Sequence, residues 1–280
     1  MTERLAATAR RIASLQQLGA VVAAMRGIAA SRAQQARGML PGVHAYADVV
    51  GGAIGQALAL APEPPAEPRR AARRAAVILF AAEQGFAGAF SERMLAALAD
   101  APAPRDLFLI GTRGVALAQE RGLVLAWHTP MVPQAGLVTV LAERIAGALY
   151  AWLADGAGAR VDLILPEWTA SGGVRARRRT LLPFDFRRFP VARAAQPPLL
   201  TLPPARLLAQ LAAEYVFAEL CAAAFTAFAA ENEARVAAML AAGGNLDGMR
   251  ADLDALARQL RQEEITAEVV ELAGSTLAPP

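Results

Sequence analysis

Residues 218–273 read AELCAAAFTAFAAENEARVAAMLAAGGNLDGMRADLDALARQLRQEEITAEVVELA, and this stretch decides the architecture. A seven-residue beat runs through Ala218, Phe225, Asn232, Met239, Leu246, Leu253, Leu260 and Ala267, with a companion register at Leu208, Tyr215, Ala222, Ala229 and Val236. A period of 3.5 residues keeps one seam of a helix turned toward a single neighbour, which is what a coiled-coil partner demands. The spacing predicts one helix over about 205–273, roughly 100 Å long if straight. Gly243 and Gly244 fall inside it and weaken it locally by about 1 kcal/mol each relative to Ala. The partner lies at the other end of the chain. Leu15, Leu18, Val22, Met25, Ala29, Ala36, Met39, Val43, Tyr46 and Val50 follow the same alternation of threes and fours. They predict a helix over about Thr2–Leu60, bent near Pro41, where the missing amide interrupts the ladder.

Between the two helices the pattern changes. Prolines at 62, 64, 65 and 68 mark a linker. Beyond it, short apolar runs at Ala76–Ala81, Leu107–Ile110, Leu123–Trp127 and Val161–Leu165 read as strands. They alternate with helical periodicity at Phe90–Ala99, Thr112–Arg121 and Val138–Ala154, and Thr180–Phe189 adds an edge strand. Such alternation argues for a largely parallel sheet with crossover helices. The expected fold class is α/β: a long antiparallel coiled coil formed by the N- and C-terminal helices plus a Rossmann-like α/β globular domain. The divisions are 1–60 coiled-coil helix, 61–75 linker, 76–190 α/β domain, 191–204 linker and 205–280 coiled-coil helix. In outline this is a shaft with a globular body at one end.

Composition limits the function. The chain has 280 residues, 55% of them apolar, which is ample for a buried core. Net charge is +3 and every basic residue is Arg, a bias expected of a GC-rich genome more than of a phosphate-reading surface. Mean hydropathy is +0.33. Alanine inflates that value, and the most apolar windows are interrupted by His44, Asp48, Glu214 and Glu219, so a soluble protein is expected. The charged start, with Glu3, Arg4, Arg10 and Arg11, does not read as a signal peptide. Cys221 is a single cysteine and forms no internal disulfide.

The middle region contains no convincing catalytic motif. Gly85, Phe86, Ala87 and Gly88 follow the first strand where a phosphate loop would lie, but neither a dinucleotide fingerprint nor a P-loop lysine is present. Gly111–Gly114 reads likewise as a tight strand-to-helix turn. Two arginine clusters, Arg69, Arg70, Arg73 and Arg74, and Arg175, Arg177, Arg178 and Arg179 with Arg187 and Arg188 nearby, lack the aromatic platforms of a nucleic-acid site. They fit solvated surface, or contact with an acidic protein or lipid head groups. His44 and His128 have no companions at metal-ligand spacing, and Ser171 has no nucleophile-elbow pattern. No metal, cofactor or nucleic acid is expected. A coiled-coil scaffold or adaptor and a nucleotide-binding α/β enzyme are the alternative readings of this pattern.

Four segments, in order, carry a resemblance. They are Arg11, Ile12, Ser14 and Leu15 with Ala24–Arg32; Glu83–Ser91; Ala230–Met239; and, most closely, Arg261, Gln262, Ile265, Thr266, Glu268, Glu271 and Leu272. Together they resemble the gamma subunit of rotary F-type ATP synthases along both terminal helices and, more weakly, the middle. Ala257–Gln259, Gly243–Leu246 and Ala87 depart from the family pattern and point to a divergent branch, such as an alternative sodium-pumping type. The resemblance implies a non-catalytic central stalk that turns within alpha and beta subunits, stands on the c-ring beside epsilon, and couples proton or sodium flow to ATP synthesis or hydrolysis. It implies a peripheral location at the cytoplasmic face of the bacterial inner membrane. Arg261 and Gln262 match positions that engage the beta subunit, Met25 and Arg26 match an opposing site on the first helix, and Thr266 and Glu268 complete the implied subunit interface.

Overall fold

The computed structural model describes residues 2–60, 74–100, 105–154, 159–169, 172–191 and 199–276. The proline-rich linker, Arg69, Arg70, Arg73 and Ser171 lie outside them. Helix α1 spans Thr2–Leu60, and helix α5 spans Pro204–Thr276. Neither assignment is interrupted, at Pro41 or at Gly243 and Gly244. Pro41 is exposed, so the carbonyl its ring leaves without a donor can be solvated.

Between them run β1 (Arg74–Phe80), α2 (Phe90–Ala96), β2 (Asp106–Ile110), α3 (Thr112–Glu120), β3 (Trp127–Thr129), α4 (Val138–Ala154), β4 (Ala159–Thr169) and β5 (Gly173–Leu182). The sheet order is β3-β2-β1-β4-β5, parallel except for β5, which lies antiparallel on β4 at the edge. The chain divides into two compact units, Met1–Ala29 with Val236–Pro280, and Ala30–Arg235.

In the larger unit the parallel strands are buried on both faces, as their continuous apolar composition requires. Alternate residues Ala76, Ile78 and Phe80 of β1 share a core with α4 and with α5 residues from Val216 to Ala229. Val77 and Leu79 face α2, α3 and Ala230 and Ala234. α1 runs antiparallel to α5 within this unit. Arg37 pairs with Glu233, whereas fourteen residues further on Gly51 meets Phe189 and Tyr215, eighteen residues earlier on α5 than Glu233.

In the smaller unit the N-terminal part of α1 and the C-terminal part of α5 enter from opposite chain directions, so they too are antiparallel. Its buried side chains among the described residues are Thr8 and Ala29 on α1, and Met239 and Leu260 on α5. Each pair is separated by three heptads, the repeat that a coiled-coil seam imposes. The expected α5 seam is buried or half-buried at every named position except Ala267. On α1 the seam is shifted at three places: Leu18, Met39 and Tyr46 are exposed, while Gly19, Leu40 and Ala47 turn inward. At two of these places the inward residue is the smaller of the neighbours, Gly19 beside Leu18 and Ala47 beside Tyr46.

Two strands also differ from expectation. Gly122, at φ 70°, ends α3, and Leu123 N donates to Ala118 O; the chain joins β2 through Ala126 N to Leu107 O, and the paired strand is Trp127–Thr129. The edge strand is Gly173–Leu182, not 180–189. Its arginines read as a solvated run because an edge strand leaves backbone and one face open. Phe186–Arg188 forms a 3-10 turn.

By length and apolar content alone, α1, residues 135–154 and α5 each suffice to cross a bilayer. α4 nevertheless buries Val138, Leu141, Ala142, Ile145, Ala146 and Leu149 inside the protein. More than half of the apolar window of α5 is buried as well.

Close approach at the end of β1 fixes two glycines. Gly111 has φ 112°, and a Cβ there would strike the carbonyl oxygens of Ala81 and Ala82, while a Cβ on Gly114 would overlap the Ala81 methyl. Gly111→Ala should lower unfolding free energy by about 2 kcal/mol or more, measured as a shift in denaturant midpoint. Burial pushes the Cys221 thiol up to about 11, with Glu143 and Glu214 adding to the effect. Iodoacetamide at pH 8 should therefore leave the native chain unlabelled and modify Cys221 only in denaturant.

Candidate functional site

In open α/β sheets, ligands bind beyond the carboxyl ends of the parallel strands, where helix N-termini offer free amides. This chain fills that position with its own carboxylate. Glu83, just after β1, accepts from Thr112 N at the start of α3 (2.8 Å), from the Thr112 hydroxyl (2.8 Å) and from Met131 N after β3 (2.8 Å). Thr112 N and Met131 N are the donors that an anionic ligand would need, and both are already engaged. The preceding turn is tight: Phe86 has φ 63° and Gly88 φ 59°.

A second carboxylate arrives from α5. Glu231 accepts from Glu83 N (3.1 Å) and Gln84 N (3.2 Å), and Arg235 Nη2 donates to it at 2.6 Å. Arg235 also reaches Gly85 O (3.3 Å) and the Asn232 side-chain oxygen (3.0 Å), while Asn232 donates back to Phe228 O (2.8 Å). Glu231, Asn232 and Arg235 are buried. A buried charge is tolerated only when paired and fully hydrogen-bonded, and this group meets that condition. One residue away, Glu233 pairs with Arg37; burial pushes its carboxyl above the usual range and Arg37 pulls it back.

Two sequence segments noted separately, Glu83–Ser91 and Ala230–Met239, thus meet in space. Sequence reasoning missed the connection. The available signal was an i, i+4 Glu–Arg pair on a helix side flanked by alanine, where a solvated pair has no need to be.

The expected interface residues lie in the smaller unit. Met25 is half-buried on the α1 seam and Arg26 is exposed beside it. Arg261, Gln262, Thr266 and Glu268 are all exposed on α5. Gln262 and Thr266 share one face, with the Thr266 hydroxyl donating to Gln262 O at 2.8 Å. They line an open groove together with Gln259, Glu263, Ala267, Val270 and Glu271. Met25 lies one turn from the buried Ala29 of α1, and Arg261 follows the buried Leu260 of α5. Among the described residues no cluster of three or more His, Cys, Asp or Glu is placed to hold a metal.

A Rossmann-like unit whose crevice is closed by its own side chains, built between two long terminal helices that pair antiparallel, defines a coiled-coil protein with an internal α/β unit. The family model described as ATP synthase matches residues 4–278, and the chain belongs to that family. It is 26% identical over 284 residues to the ATP synthase gamma chain of Frankia casuarinae, covering 96% of this chain and 95% of that one. It is 26% identical over 291 residues to the gamma chain of Thermobifida fusca, covering 95% and 93%. Among solved structures, a chain of the Euglena gracilis mitochondrial ATP synthase, in a complex described as OSCP, F1 and c-ring, superposes with TM-score 0.66 at 14% identity, covering 99% of this chain and 94% of that chain. A chain of the rotor from the same source gives TM-score 0.63 at 12% identity, covering 95% and 100%. Both likenesses are likenesses of fold.

With the crevice closed, calorimetric titration of the chain with ATP, ADP or NAD should give no saturable heat. Replacing Glu83 with Ala frees Thr112 N and Met131 N but should unfold the chain at a lower denaturant concentration, by about 2 kcal/mol, since a set of charge-assisted bonds is lost.

Proposed function

We propose that the chain is the non-catalytic gamma subunit of a bacterial F-type ATP synthase, the central stalk that transmits torque between the membrane c-ring and the alpha and beta catalytic head. The observation that carries this reading is the match to gamma chains over nearly the full length of both sequences. The fold neighbours, chains of a rotor and of an assembly of OSCP, F1 and c-ring, support partners of the same kind: alpha, beta and epsilon subunits and the c-ring. Its place is then peripheral, at the cytoplasmic face of the inner membrane, and the ion it serves, proton or sodium, is chosen by the c-ring.

In this role segments 1–60 and 205–280 supply the axle and 76–190 the body. An axle that turns inside a close-fitting sleeve needs surface with few polar bonds to break at each step. The end of α5 has it: Ile265, Val269, Val270 and Leu272 are all more than half exposed. Arg261, Gln262, Thr266 and Glu268 add directional contacts to the beta subunit on that helix, and Met25 and Arg26 form a separate contact further along the pair.

Purification of the tagged chain from its host should bring alpha and beta subunits and ATPase activity with it; a chain that purifies alone would refute the assignment. Arg261→Ala should leave the complex assembled and lower coupled ATP synthesis in membrane vesicles. Loss of one interfacial arginine is worth about 1 kcal/mol or more, which is roughly a fivefold fall. Unchanged synthesis would remove Arg261 from the coupling contacts.

A further inference from the structure

The larger unit holds α5 by two different kinds of contact. From Val216 to Ala230 the helix buries its own Ala218, Ala223, Ala224, Ala227 and Ala229 together with Leu220, Phe225 and Phe228, and Glu219 pairs there with Arg179 and Arg188. Apolar contact is non-directional, and here side-chain shape and the Glu219 pairs supply what resistance to turning there is. Over the next turn and a half the contact reaches the main chain of the α/β unit. Glu231 accepts two main-chain amides, those of Glu83 and Gln84, and Arg235 grasps the main-chain oxygen of Gly85.

We propose that Glu231 and Arg235, seated on the backbone of residues 83–85, are positioning residues that key α5 to the α/β unit and prevent it from turning about its own axis. This rests on the torque-transmitting role proposed above: twist carried by α5 becomes rotation of the unit only if the helix cannot slip. The seat is itself braced. Ala82 N donates to Ser91 Oγ (3.1 Å), and the Glu83 side chain is tied to Thr112 and Met131. Glu231 and Arg235 are themselves buried, which favours their bonds to the main chain over bonds to water. The key also lies on the last residues of α5 within this unit, which ends at Arg235. Arg37, pairing with Glu233, holds the same turn from the α1 side.

The test uses the assembled complex in membrane vesicles. In Glu231→Gln an amide group faces the Glu83 and Gln84 amides in place of a carboxylate oxygen. ATP hydrolysis per complex should remain within about twofold, while ions pumped per ATP hydrolysed should fall at least about threefold. Exchanging the pair, Glu231→Arg with Arg235→Glu, keeps an ion pair but gives the two amides no acceptor, so it should not restore pumping. Unchanged pumping per ATP in Glu231→Gln, or recovery in the exchanged pair, would overturn the proposal. Amide exchange on the full chain decides even if the variants assemble poorly. The Glu83 and Gln84 amides should exchange at least about tenfold more slowly in the parent chain than in Glu231→Gln, and equal rates would overturn the key. A parent chain that joins no ATPase complex would instead sink the rotor assignment, and the exchange result would still judge whether the helix is keyed.

Discussion

Helix α5 must satisfy two neighbours at once. No residue from Val216 to Arg235 is exposed, because one side of the helix lies on the sheet and another meets α1. A helix enclosed all round cannot keep a polar face, which explains why this stretch is apolar well beyond a two-residue heptad stripe. It also explains the alanine. Small side chains let α5 approach the sheet and α1 together, and the larger residues Leu220, Phe225 and Phe228 fill the gaps that remain. Three of the polar groups that enter this enclosure form one set, beside Glu219 paired with Arg179 and Glu233 paired with Arg37. Glu231, Asn232 and Arg235 satisfy one another and the main chain, and an incomplete set would leave a buried charge without a partner.

Much of this could be read from the sequence. Heptad spacing identified both long helices, and the short apolar runs located the β1, β2 and β4 strands, because those features arise from local periodicity and burial on two faces. The α1 seam lies one residue on from Leu18, Met39 and Tyr46; at Leu18 and Tyr46 hydrophobicity alone favours the bigger of two adjacent residues, while Gly19 and Ala47 face inward. Strand β3 is three residues long and depends on pairing with Phe108, Leu109 and Ile110, so it has little pattern of its own. β5 lay behind its arginines for the reason that edge strands generally do. The buried polar group was invisible for another reason. Its partners are nearly 150 residues apart in sequence and half of them are main-chain atoms, which carry no signature in side-chain identity. The expected contact residues at the far end of α5 were found only through resemblance.

The α/β unit also shows how a fold often associated with nucleotides can engage its own crevice amides. The strand order is that of such a fold, and Glu83 accepts from Thr112 N and Met131 N. An internal carboxylate satisfies the same amides that a phosphate would, at no cost in translational freedom, and repels an anion that approaches.

Helix α1 carries a strip of uncovered apolar side chains in each unit, Leu18, Val21 and Ile28 in the smaller and Met39, Tyr46 and Val49 in the larger. In water such a strip is sticky toward other copies and toward unfolded chains. A molecule released from the ribosome without companions is thus an aggregation hazard, and its synthesis must be matched in amount and time to that of whatever covers the strip. Stoichiometric production is in this sense written into the surface of a single helix.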